Sequence, residues 1–295
     1  TKSHAFYPIL GDGTTYRMDA YNSDLTWEKT TTWNAGIDFG LDNNRFTTNL
    51  DFYYRKTTDL INNITVPVLS NPQNMVNMNI GELHNVGVEA NFNYRVIQSN
   101  DWTWTLGYNV AWNKNEIDKL ALSDDPNYRV WYGGVPVGDS STDGIKAYHV
   151  GNATSAYYVY QQVYDENGLP IQGLYVDRNA DGVINDNDRY YYKKADPDVT
   201  MGLTSKLIFK NWDFSFAMRA ALNNYAYNAV EAGNSSMSSA NFYSGSAYHN
   251  LLNNCVAKNW QAQGASDVLS DYFIQNASFL KMDHITLGYS FAKLF

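Results

Sequence analysis

The feature that most constrains this chain is a two-residue alternation of apolar and polar side chains, repeated in segments of roughly ten residues. From Trp33 to Leu41 one face reads Trp33, Ala35, Ile37, Phe39, Leu41 and the other Asn34, Gly36, Asp38, Gly40. Successive side chains of an extended backbone point to opposite faces, so this segment reads as a strand with one apolar face. After Asp42, Asn43 and Asn44, residues that favour turns, the pattern resumes with Phe46, Thr48, Leu50, Phe52 and Tyr54. The same grammar predicts hairpins of 86–96 with 102–112, of 199–209 with 212–222 and, less regularly, of 272–281 with 283–291. Eight strands are predicted in all.

The connections between these strands are asymmetric. Each hairpin closes in a few residues, whereas the links between hairpins run from about 56 to 85, 113 to 198 and 223 to 271. Loops that long are uncommon in compact soluble domains. Short turns on one side, long loops on the other and strands of ~9–11 residues predict an all-β fold, an antiparallel transmembrane β-barrel. The aromatic residues agree. Trp102, Trp104, Phe209 and Trp212 sit beside the short turns, and Trp33, Tyr54 and Trp112 at the opposite strand ends, as two interfacial belts require. The alternate face carries Asn34, Asp38, Asn49, Asp51, Glu89, Asn93, Arg95, Lys206, Asp213 and Arg219, too polar for a sandwich core; it is expected to face water or a plug. A soluble antiparallel sheet with its apolar face inward would accommodate the alternation. It would not explain three long loops or tryptophan at both rims of the apolar face.

Composition removes other classes. Asp and Glu number 30 against 21 Lys and Arg, a net charge of −9, which provides no basic footprint for nucleic acid. A single cysteine, Cys255, excludes an intramolecular disulfide and a thiolate metal cluster, and reads as a spectator thiol. No apolar run approaches the ~18 residues of a spanning helix.

Particular segments carry a family resemblance. Leu25-Thr26-Trp27-Glu28-Lys29-Thr30-Thr31, Arg45-Phe46, Asp51-Phe52-Tyr53-Tyr54 and Lys56-Thr57-Thr58-Asp59-Leu60 resemble the barrel of the SusC/RagA family of TonB-dependent outer-membrane transporters of Bacteroidetes. So do Asn79-Ile80-Gly81, Asn85-Val86-Gly87-Val88-Glu89, the run from Asp177 to Ile184, and the closing pattern Asn276-Ala277-Ser278-Phe279-Leu280-Lys281 through Ile285 to Phe291. The resemblance runs over nearly the whole chain. It implies a barrel of about 22 strands, filled by an N-terminal plug, energised by TonB–ExbB–ExbD through that plug, and lidded by a SusD-like surface lipoprotein. It implies import of oligosaccharides or peptides across the outer membrane, and no enzymatic step. On this reading residues 1–295 are a C-terminal-half portion of the barrel domain, without plug, TonB-contacting segment or signal peptide. Residues 114–198 form a long extracellular loop region, and two strand edges are left unpaired.

The sharpest local motif is 177–188. Asp177, Asn179 and Asp181 stand at the first, third and fifth places, Gly182 at the sixth, the Val183 carbonyl at the seventh and Asp188 at the twelfth. This spacing wraps oxygen ligands round one point and suits Ca2+. Asp188 replaces the usual bidentate Glu and no amphipathic helices flank the loop, so a turn held by Asx hydrogen bonds is the competing expectation. Trp131, Tyr132, Tyr243, Tyr248 and Trp260 are expected to be loop aromatics, of which Trp131, Tyr132, Tyr243 and Trp260 are the candidate substrate contacts. His4, His84, His149, His249 and His284 are not spaced as zinc ligands. Asp38, Asp51 and Glu89 form no recognisable acid–base pair. Transport is therefore the leading expectation and a barrel-anchored adhesin the alternative. A barrel enzyme would need a clustered nucleophile and base, and none is visible.

Overall fold

The computed structural model describes residues 21–66, 75–120, 127–134, 144–234, 252–260 and 265–291, together with the short strands 3–5, 15–17, 243–244 and 247–248. The wall is one antiparallel sheet of seven strands in chain order. These are β1 (Lys29–Leu41), β2 (Phe46–Thr65), β3 (Met75–Gln98), β4 (Trp102–Lys119), β5 (Val199–Phe209), β6 (Trp212–Leu222) and β7 (Phe279–Tyr289). Neighbours in sequence are neighbours in space, as an up-and-down barrel wall requires.

The register carries the alternation across the whole sheet. Phe39, Thr48, Phe92, Tyr108, Leu203, Met218 and Met282 form one cross-strand row on the apolar face. One residue along, Asp38, Asn49, Asn91, Asn109, Gly202, Arg219 and Lys281 form a row on the polar face. Ile37, Ile285 and Leu287 are each more than 60% exposed, so among the described residues nothing covers this apolar face, which suits acyl chains. Aromatic pairs mark its short-turn rim: Trp102 stacks on Phe209 at 4.1 Å and Trp212 meets Tyr289 edge-on at 4.7 Å.

Two hollows of about 550 and 600 Å3 open on the polar face, the second lined by Asn34, Asp51, Tyr53, Arg55, Glu89 and Asn113. The polar side chains there lie flat. Tyr53 crosses the β3 position opposite it, Gly87, and its hydroxyl meets Asn113 Oδ1 on β4 at 3.0 Å. A Cβ at Gly87 would stand 2.3 Å from the tyrosine ring, so only glycine admits this crossing.

Three sequence expectations are corrected. The fourth hairpin, 272–281 with 283–291, is not formed: one strand, Phe279–Tyr289, runs through its expected turn while Ile274–Asn276 pairs elsewhere, so the described wall has seven strands and not eight. Asp283 is a bulge: Ala217 pairs with His284 and Met218 with Met282. The extra residue moves the apolar face from Leu280 and Met282 to Ile285, Leu287 and Tyr289, and that change of parity imitates a turn. The expected loop 56–85 is mostly ladder, with β2 and β3 paired as far as Thr65 and Met75 through bulges around Leu60. The loop expected from residue 114 begins after Lys119. Beyond the lipid, backbone pairing continues without a need for apolar side chains, so alternation under-reads strand length.

Substitution of Leu203 by Arg, on the apolar face, is expected to destabilise the barrel by about 2–4 kcal/mol in lipid vesicles, as charge near a bilayer midplane does. Thr204→Arg, one residue along on the polar face, should cost far less. Equilibrium unfolding of the full-length protein in vesicles measures both, and equal losses would reverse the assignment of faces.

Candidate functional site

The described residues of the long connections 120–198 and 223–278 fold together. A four-stranded sheet orders Tyr190–Lys194, Ala156–Val159, Gly144–Tyr148 and Val130–Gly134, and the strand Tyr225–Tyr227 pairs with Ile274–Asn276. Val159, Tyr157, Tyr175, Ala232, Trp260, Leu269, Phe273 and Ile274 share one hydrophobic cluster, so residues from both connections fill a single core. The backbone ties them as well, since Tyr160 donates to Leu269 O at 2.9 Å and accepts from Asp271 N at 2.9 Å.

At the centre of this mass is a buried ion pair. The side chains of Lys258 and Glu231 are 1% and 6% exposed, with Nζ 3.2 Å from Oε1. Glu231 also accepts from Tyr272 Oη at 2.5 Å, Asn254 Nδ2 at 2.5 Å and Gln275 Nε2 at 3.0 Å. The ammonium is in turn enclosed by the rings of Tyr272, Trp260 and Phe273, with centroids at 4.6, 4.8 and 5.6 Å. Hydrogen bonds saturate the carboxylate and ring faces attract the cation, so neither charge is left uncompensated. Sequence reading missed this pair because its members lie 27 residues apart with no motif joining them.

The sequence-predicted aromatics separate. Trp260 is a core residue, 2% exposed, whose Nε1 donates to Pro170 O at 2.9 Å; it is corrected from a substrate contact to a packing anchor. Trp131 is 38% exposed, with Arg189 over its ring at 5.0 Å. Tyr132 stacks on Tyr148 at 4.1 Å, and its hydroxyl donates to Thr154 O. The side chain of Tyr243 lies outside the described residues.

The 177–188 loop is closed by its own carboxylates. Asp177 accepts from the backbone N–H groups of Asp181 at 3.3 Å and Gly182 at 2.8 Å. Asn179 Oδ1 accepts from Asp181 N at 3.0 Å, and Asp181 Oδ1 from Val183 N at 2.8 Å. Gly182, at φ +80°, supplies the left-handed turn that suits glycine. Asp188 is fully buried and accepts from Asn185 N at 2.8 Å and Arg178 N at 2.9 Å, joining the two ends. The Asn185 bond first, then those of Arg178 and Asn179, hold its carboxyl below the usual carboxylate range despite burial. Among the described residues no three His, Cys, Asp or Glu side chains gather as a metal-holding group.

Two measurements test these contacts. Glu231→Leu leaves Lys258 buried without its counter-ion and should destabilise the loop mass by about 3–5 kcal/mol, read as faster proteolysis within 223–278. The double variant Glu231→Leu/Lys258→Met should recover part of that loss. For Asp188 the depressed pKa belongs to the folded loop, so its stabilisation is present above the ordinary carboxylate range and is lost as pH falls through the folded value. Hydrogen-exchange protection of the Asn185 amide should follow that course, and Asp188→Asn should abolish the pH dependence.

The comparisons agree with this architecture. The family model described as TonB dependent receptor-like, beta-barrel, matches residues 3–142. The chain is 48% identical over 293 residues to the TonB-dependent receptor SusC of Bacteroides thetaiotaomicron, covering 99% of this chain and 29% of SusC. It also superposes on solved structures of the RagAB peptide transporter and of the RagAB peptide importer in its open-open state, each with TM-score 0.72 and 19% identity. These alignments cover 98% of this chain and 32% and 31% of those chains, so it spans under a third of each relative. Its relatives are receptors and transporters, not enzymes. The chain belongs to the SusC/RagA family of TonB-dependent receptors, and its strands are those of the family's outer-membrane β-barrel.

Proposed function

We propose that the whole protein imports oligosaccharides or peptides across the outer membrane, driven by TonB–ExbB–ExbD and lidded by a SusD-like surface lipoprotein. The observation that carries this reading is the pairing of an exposed apolar face with a polar face that bears open hollows, seen in a chain 48% identical to SusC. A wall with two solvent-type faces, one for lipid and one for water, encloses a route and requires no chemistry. The packed loop mass on the long-loop side supplies a surface for a lid and for cargo. Trp131 and Tyr132 remain the aromatic candidates for cargo contact among the described residues.

Calcium at the 177–188 loop belongs to the same reading. The side-chain oxygens of Asp177, Asn179, Asp181 and Asp188 with the Val183 carbonyl would be the donor set, turned toward the ion from their backbone hydrogen bonds within the loop, and the hard oxygen chemistry suits Ca2+ over softer ions. Its role would be to stiffen the connection that the lid contacts.

Tagged full-length protein, solubilised from the native outer membrane, is expected to bring down a surface lipoprotein in stoichiometric amount, identified by mass spectrometry. Loss of TonB should abolish cargo accumulation while leaving surface binding in place. A barrel recovered alone, with accumulation independent of TonB, would remove the importer reading. For calcium, EDTA should speed protease cleavage within 120–198 and added Ca2+ should restore protection; identical digestion patterns would remove the metal.

A further inference from the structure

Where the two long connections meet, a cleft of about 510 Å3 is lined by Tyr132, Ile145, Lys146, Tyr157, Tyr225 and Tyr227. Its wall is largely ring and aliphatic carbon, and among the described residues Lys146 is the cation that lines it. The ammonium lies 5.0 Å from the Tyr157 centroid and 5.9 Å from that of Tyr132. Among the described residues it has neither a hydrogen-bond acceptor nor an ion-pair carboxylate; exposed Asp196 acts on it from beyond ion-pair distance. Burial lowers the Lys146 pKa, a sign that the charge is poorly compensated. Tyr132, Tyr157 and Tyr227 are all shifted upward by burial and stay neutral, so the phenols supply no counter-charge.

A half-buried ammonium facing ring carbon recovers only part of its hydration from cation–π attraction. A carboxylate would complete it with a charge-assisted hydrogen bond, while a neutral ligand would leave it unpaired. We infer that this cleft is a subsite for a cargo carboxylate attached to an apolar or C–H-rich body, with the Lys146 ammonium as its counter-ion. Two cargo sources present that chemistry, the C-terminus of a peptide and the ring of a uronic acid. The inference rests on the import reading and narrows it to anionic cargo groups.

The test is binding by the detergent-purified full-length protein, which is separate from TonB-dependent accumulation, so either reading can fail alone. Four probes are titrated: the tripeptide Ala-Ala-Leu, its C-terminal amide, a glucuronic-acid trisaccharide and the matching glucose trisaccharide. At least one free acid is expected to bind about tenfold to hundredfold more tightly than its uncharged partner, the range of a charge-assisted hydrogen bond. The pair that shows the difference identifies the source. Lys146→Met should erase the preference for the free acid, and Lys146→Arg should keep it. Equal binding of acid and uncharged forms in both pairs, no binding by any probe, or a preference that survives Lys146→Met would overturn the inference.

Discussion

Every backbone N–H and C=O at membrane depth must find a partner within the protein, because lipid offers none. The seven-strand ladder meets that demand between consecutive strands, and the rest of the structure depends on it. Once the ladder is closed from strand to strand, the two faces are free to differ. One face is left to acyl chains and the other carries Asn, Asp, Glu and Arg over water, with residues such as Tyr53 laid flat across glycine. The short turns are drawn into the same economy of hydrogen bonds. Lys210 N donates to Asp101 O at 2.9 Å and Ser290 N to Asn211 O at 2.7 Å, so neighbouring turns brace one another at the rim.

On the opposite side the constraint is reversed. Water solvates exposed backbone there, and long connections are tolerated only if they build a core of their own. They do so jointly. Phe273 and Trp260 from one connection pack with Val159 and Tyr157 from the other, and the Glu231–Lys258 pair is buried among them with its hydrogen bonds satisfied. Such a pair is a poor source of net stability but a strict one of geometry, because few other arrangements satisfy both charges.

The wall was legible because its signal is local. Trp33 to Leu41 and Phe46 to Tyr54 announce their faces within one strand, and the observed register of Phe39 with Thr48 and Leu41 with Phe46 follows from the four-residue turn 42–45, in which Asp42, Asn43 and Asn44 take positive φ and Arg45 N donates to Asp42 O. The reading failed where a single residue changed the parity, at Asp283, and where pairing outlived the lipid, beyond Lys56 and Asn113. The loop aromatics were legible as residues but not as surfaces. Nothing near Trp260 in sequence reveals that it is buried under Pro170, whereas the Asx spacing from Asp177 to Asp188 foretold a closed loop.

Alternation, turn residues and loop lengths together were enough for strand order and the lipid-facing side, since each depends on neighbours a few residues apart, and the resemblance of particular segments pointed to the family. Which side chains meet in the loops was decided only by tertiary structure. Glu231 meets Lys258, Tyr157 meets Tyr225, and Lys146 comes to line a cleft with Asn224, through packing between segments tens of residues apart. The physical reason is that a strand's faces follow from backbone geometry alone. A core between two irregular connections has no period, and its contacts are set by shape and by the need to pair buried polar groups.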